Sequence, residues 1–282
     1  MSDQPPRLHF ISGLPRSGST LLAGLLRQNP RFHAGISSPL CSLFSGLLNG
    51  MAAEGAGGID EARRARVLRG LLDSYYADRA DKGAVFDTNR MWTARLPALV
   101  ALYPEVKVVC MVRNVAWIMD SIERLVRGNA LLPSRLFAEP ERANVYARVD
   151  ALAARDRLVG AAWSALKEAF YGAEADRLLI VDYDYLARAP ARVMALIYQF
   201  LDEESFIHDF ENVEYEETEF DLRLTTPGLH RVARRVRATE RPTILPPDIF
   251  ARFAAMSFWA DTAPSRANLL APSRRKTEAT AA

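Results

Sequence analysis

The sequence is poor in cysteine and histidine and has no long apolar run, and each shortage removes a class of protein. Only two cysteines, Cys41 and Cys110, occur among 282 residues, too few for a disulfide framework or a cysteine-rich zinc site. Cys110 lies inside the apolar run VKVVCMV, the setting of a small buried side chain rather than of a redox thiol. His9, His33, His208 and His230 are scattered without metal-ligand spacing, so no metal is expected. No stretch approaches the roughly eighteen apolar residues of a membrane span, and the opening MSDQPPRLHF has no apolar core behind a basic segment. These features predict a soluble intracellular protein, placed in the cytoplasm, with no membrane span. An excess of one charge is missing too: 36 Lys plus Arg face 34 Asp plus Glu, a formal net charge of +2. That balance argues against a nucleic-acid partner, so any basic site must be local.

What is present is an alternation. Nearly half of the residues are hydrophobic, 49%, enough to bury one large core. Short apolar runs, Leu8 to Ser12, Ala84 to Asp87, Val106 to Val112 and Leu178 to Asp182, alternate with longer amphipathic stretches. This is the rhythm of an α/β fold, a parallel sheet with helical crossovers. The helices are predicted at Ser19 to Arg27, Asp60 to Asp78, Thr93 to Tyr103, Ala116 to Arg127, Ala143 to Tyr171 and Ala191 to Leu201. Residues 50–60, rich in glycine, read as a mobile loop. Residues 202–250, acidic first and then basic, show little periodicity and read as a surface excursion over the sheet edge. The small polar residues of 263–282 predict a disordered tail, leaving one domain over residues 1–262. Arginine strongly outnumbers lysine, which suits bidentate recognition of anions but equally follows from a GC-rich coding sequence.

The stretch Gly13-Leu14-Pro15-Arg16-Ser17-Gly18-Ser19-Thr20 stands between the first strand and the first helix. Its G-x-x-x-x-G followed by Ser-Thr has the spacing of a phosphate-binding Walker loop, except that Ser19 occupies the lysine position. Such a turn aims backbone N–H groups and a helix N-terminus at one spot, where phosphate is the natural occupant. Arg16 supplies a cation from within the loop, and Ser17, Ser19 and Thr20 add hydroxyls. A second signal follows the strand VKVVCMV: Arg113 emerges at its carboxyl edge, and Ser121 lies two turns into the next helix on the same side. Together they are placed to hold a second phosphate.

With these two motifs the sequence resembles the sulfotransferases that use 3'-phosphoadenosine 5'-phosphosulfate (PAPS), in particular a bacterial branch similar to the tyrosylprotein sulfotransferases. Pro15 to Leu22 matches the family's 5'-phosphosulfate loop, Arg113 and Ser121 its 3'-phosphate motif, and VDYDYL its third element, with Tyr183 in the tyrosine position. The resemblance covers about residues 7–201. It implies a P-loop-like three-layer sandwich with a central parallel sheet of about five strands, PAPS as donor, no metal, and a hydroxyl or amine acceptor: carbohydrate, peptide, lipid or small molecule. Arg16, Ser17, Gly18, Ser19, Thr20, Arg113, Ser121, Tyr183 and Arg231 are then the donor-binding residues, with Arg234 and Arg235 beside Arg231.

For chemistry, the resemblance assigns Arg16 to the leaving oxygen and Arg90, in FDTNRMW, to the sulfuryl oxygens, unless Arg90 pairs with Asp87 or a surface acid. The general base is open. Where relatives carry a Glu, this chain has Ile36 and Ser37. Asp87 is best placed by topology, although a strand-end aspartate also serves as a helix cap or ion-pair partner. His33 reads as a packing residue, and His230 is left unassigned. Residues 123–171 are expected to form a helical cover on the acceptor side, where Arg124, Arg127, Arg135 and Arg142 either meet an acidic acceptor or merely solvate the surface. Two rivals stand beside this reading. A P-loop nucleotide or small-molecule kinase requires the lysine that Ser19 replaces and a magnesium-holding Asp where Arg113 stands. A catalytically silent nucleotide-binding protein needs only the donor site.

Overall fold

The apolar runs form a six-stranded sheet in the computed structural model, which describes residues 6–36, 38–52, 59–215, 221–222 and 225–272. The strands are β1 (Arg7–Gly13), β2 (Phe32–Ala34), β3 (Ala84–Thr88), β4 (Val108–Val112), β5 (Leu178–Asp182) and β6 (Asn268–Leu270). They lie in the order β2-β3-β1-β4-β5-β6, every neighbouring pair parallel. All carboxyl ends therefore open on one edge, with β1 between β3 and β4.

Alternate residues of each strand enter different cores. Phe10, Val108, Cys110, Val112 and Ile180 face one side, where they meet α2 (Leu40–Ala52), α3 (Glu61–Tyr75), α4 (Leu96–Leu102), α5 (Val115–Gly128), α6 (Val145–Ala153), α7 (Leu158–Tyr171) and α10 (Pro247–Ala254). Ile11, Phe86, Val109, Met111 and Val181 face the other side, against α1 (Ser19–Leu26), α8 (Tyr183–Arg188) and α9 (Pro190–Leu201). The three-layer α/β sandwich is thus present, with one strand more than the expected five. Cys110 is fully buried, and burial pushes its thiol pKa up. No helix among the described residues is long and apolar enough to cross a membrane.

Several features differ from the sequence reading. Strand β2, three residues long, was not among the four apolar runs and forms by pairing with β3. Helix α2 went unpredicted because its two glycines and two serines weaken helix propensity; tertiary burial of Leu40, Cys41, Phe44 and Met51 forms it nonetheless. The long helix expected over 143–171 is two, because Ala154 leaves the helical region at ψ 146. Residues 268–270 are not part of a disordered tail: β6 pairs with β5, its backbone hydrogen bonds closing that sheet edge despite polar neighbours. Residues 202–250 contain the start of α10 and a strap, 230–239, whose backbone pairs with 210–215. Residues 53–58 of the expected mobile loop, Ser37, and residues 273–282 of the tail lie outside the described residues.

Candidate active site

The loop after β1 is shaped by three residues with positive φ: Gly13 at 107°, Arg16 at 57° and Gly18 at 95°. A Cβ on Gly13 would overlap the Met111 carbonyl, and one on Gly18 would stand 2.6 Å from the Tyr183 ring. Glycine is therefore required where the loop passes β4 and where it turns into α1. Alternation of handedness brings successive N–H groups to the inside of the turn, and the first N–H groups of α1 have no acceptor within the helix. Ser19 and Thr20 line the cavity this loop borders. Ser17 does not: its hydroxyl is fully buried and donates to the carbonyl oxygens of Leu14 and, at 2.8 Å, Met111. The expected anion-binding hydroxyl is thus a structural tie, because two backbone carbonyls claim it.

The two anion motifs meet. Arg16 Nε donates to Ser121 Oγ at 3.1 Å, and another Arg16 nitrogen donates to the Leu229 carbonyl. The Arg113 guanidinium lies 4.4 Å from the centroid of the Tyr183 ring, a cation–π contact. Burial and, after it, the nearby Arg113 charge lower the Arg16 pKa. Anionic groups in the cavity would offset this repulsion between the two cations. Arg113 Nε is buried without a hydrogen-bond partner among the described residues, an unsatisfied donor of the kind a phosphate oxygen completes.

These residues border one cavity of about 470 Å³. Its wall at the β3 end includes Thr88, Asn89 and Arg90; its far wall is the strap, with Arg231, Arg235 and Arg237. Arg237 was missed in the sequence because nothing in its neighbourhood distinguishes it from Arg234, which turns away to Asn212 at 3.2 Å and Glu214 at 3.7 Å. Arg90 faces the cavity rather than pairing with Asp87; its carbonyl accepts from Ser12 Oγ at 3.0 Å. From the expected helical cover, Leu136 and Leu158 reach the cavity, while Arg124 and Arg127 are held by Asp120 and Glu123.

Asp87 does not line the cavity. It is fully buried, accepting from Tyr76 Oη at 2.5 Å and from Trp92 Nε1 at 2.6 Å. The strand's pleat turns it to the same face as Val85, into the core. Burial raises its pKa, against the pull of those hydrogen bonds. It is a packing carboxyl, and the expectation of a base there is corrected. His33, half-buried against Tyr76 at 5.9 Å, also lies outside the cavity wall.

His230 lies in that wall. Its Nδ1 is 2.5 Å from Asp221 Oδ1, and its backbone N–H donates to Asp221 Oδ2 at 2.9 Å. Nδ1–H donation fixes the tautomer and puts the ring's lone pair on Nε2. Burial lowers the His230 pKa; Asp221 opposes this, while Arg16 and Arg90 reinforce it. The pair spans nine residues of a segment without periodicity, so no spacing in the sequence announced it.

Comparison with known proteins agrees with this geometry. Residues 9–208, more than half of the chain, match the sulfotransferase family. The nodulation protein NoeE of Sinorhizobium fredii is 33% identical over 123 residues, a stretch covering 39% of this chain and only 29% of that relative's length. The sulfotransferase domain of the Synechococcus PCC 7002 olefin synthase superposes with a TM-score of 0.50 at 18% identity, over 90% of this chain and 96% of that one. The sulfotransferase domain from the curacin biosynthetic pathway does so with a TM-score of 0.52 at 16% identity, over 90% and 98%. At such identities the two superpositions speak to the fold.

Proposed function

The chain belongs to the sulfotransferase family, and we propose that it transfers the sulfuryl group of PAPS to a hydroxyl or amine acceptor inside the cell, releasing adenosine 3',5'-bisphosphate. One observation carries this reading: Arg16, Ser121, Arg113 and Tyr183, drawn from three separated motifs, converge on a single cavity. In the proposed reaction the acceptor oxygen or nitrogen forms its bond to sulfur as the bond from sulfur to the bridging oxygen breaks, in line. Arg16, Ser19 and Thr20 neutralise the departing phosphate oxygen with charge-assisted hydrogen bonds and the loop's N–H groups. Arg90 faces the sulfuryl oxygens from the β3 side. Arg113 and Ser121, with Arg231 and its strap neighbours, hold the 3'-phosphate. His230, held by Asp221, takes the acceptor's proton.

The test is PAPS turnover with pooled hydroxyl and amine acceptors. Bisphosphate release is expected, undiminished by EDTA, and reduced at least about a hundredfold in Arg16→Ala. A requirement for magnesium and ATP instead would establish the kinase reading, and tight bisphosphate binding without any turnover would establish the silent one.

A further inference from the structure

Asp120 has no part in the chemistry above, yet its carboxylate is fully buried in α5, one residue before Ser121. A buried carboxylate is costly unless its lone pairs are met, and here four donors meet them. Oδ2 accepts from Arg124 Nε at 3.0 Å and Arg241 Nη2 at 2.6 Å; Oδ1 accepts from Thr243 Oγ1 at 3.1 Å and the Ile244 N–H at 2.8 Å. Arg241 also lies 5.5 Å from the centroid of the Trp117 ring, and Arg124 donates to the Pro242 carbonyl at 2.5 Å.

Three of the four donors come from residues just past the strap. The strap's upstream end is fixed separately, by Asp221 on His230 and by the backbone bonds of Val232 and Val236 to Tyr215 and Phe210. Arg231, Arg235 and Arg237 are exposed side chains at the cavity, Arg235 also meeting Glu211 at 2.8 Å, so where their guanidinium groups lie depends on where the strap's backbone is held. The neighbouring Ser121 accepts from Arg16. One turn of α5 thus touches the phosphate loop with one residue and the strap's anchor with the next.

We propose that Asp120 is a positioning residue of the donor site, fastening the downstream end of the strap to α5 and so setting its arginines against the donor's 3'-phosphate. This rests on the donor reading given above. Asp120→Asn is nearly isosteric and keeps an oxygen for Thr243 and Ile244, but its amide turns donors toward the donors of Arg124 and Arg241. Affinity for adenosine 3',5'-bisphosphate, measured by calorimetry, is expected to fall about tenfold, the worth of a charge-assisted hydrogen bond. ADP, which has no 3'-phosphate, is expected to change by less than about twofold.

Arg241→Gln cuts the anchor without altering the sequence of α5 and is expected to weaken the same preference; the double variant should be no worse than the stronger single one, because both act through one link. If Asp120→Asn does not fold, Arg241→Gln decides alone. Variants that keep the wild-type preference, or that weaken both ligands equally alongside a lowered Tm, overturn the proposal. A wild-type protein with no preference for the bisphosphate overturns the donor reading itself, a distinct result.

Discussion

His230 is the residue whose chemistry is most exposed to test. An imidazole must be neutral to accept a proton, and burial together with the charges of Arg16 and Arg90 holds this one below its ordinary pKa of 6.5. Turnover is therefore expected to rise with pH along an acid limb centred below 6.5 and to level off above it. His230→Gln should lower kcat about a hundredfold or more and remove that limb. An unaltered kcat or an unmoved limb in the variant would exclude His230 as the base. The contrast with Asp87 shows what short motifs can and cannot convey. Arg16, Ser19, Thr20, Arg113 and Ser121 were legible because local spacing alone places them after strands or on one side of a helix. Asp87 was misread because the pleat of β3, and donors from Tyr76 and Trp92, decide where its carboxylate points. Ser17 failed similarly: the Met111 carbonyl that claims its hydroxyl comes from another strand.

At the scale of elements, the largely uncharged strands β1, β3, β4 and β5 and most of the amphipathic helices were readable from periodicity, whereas α2, β2, β6 and the strap owe their form to distant partners. The strap shows a trace of its pairing in the sequence: the acidic half of 202–250 meets the basic half, as Glu211 does Arg235 at 2.8 Å. The extended segment leading into it carries another consequence. His208 is buried within an aromatic cluster, its ring 5.6 Å from Tyr198, 5.1 Å from Phe206 and 6.0 Å from Phe210. Burial pushes its pKa down to about 4. The folded-state value lies below the unfolded one, so this contribution to stability is complete above pH 6.5 and is lost as pH falls through 4. The loss should reach about 3 kcal/mol. His208→Phe is expected to flatten denaturant-measured stability across that window while leaving it intact at pH 7; an unchanged acid dependence would contradict the assignment.

Over the whole molecule, sheet order does the work of assembly. Because β1 lies between β3 and β4, with β5 beyond, residues separated by more than a hundred positions arrive at one carboxyl edge: Arg90, the loop at 13–20, Arg113 and Tyr183 in spatial sequence. This is where ligands sit in open parallel sheets. The strap, contributed from beyond β5 and α9 in the chain, closes the far side with its arginines. The central claim is that this edge recognises a nucleotide through a 3'-phosphate, and the most direct test is calorimetric titration, without metal, with adenosine 3',5'-bisphosphate and separately with ADP. A preference for the bisphosphate of at least about tenfold, or 1.4 kcal/mol, is expected, and Arg113→Ala should abolish it. ADP binding as tightly as the bisphosphate, or a preference that survives Arg113→Ala, would contradict it.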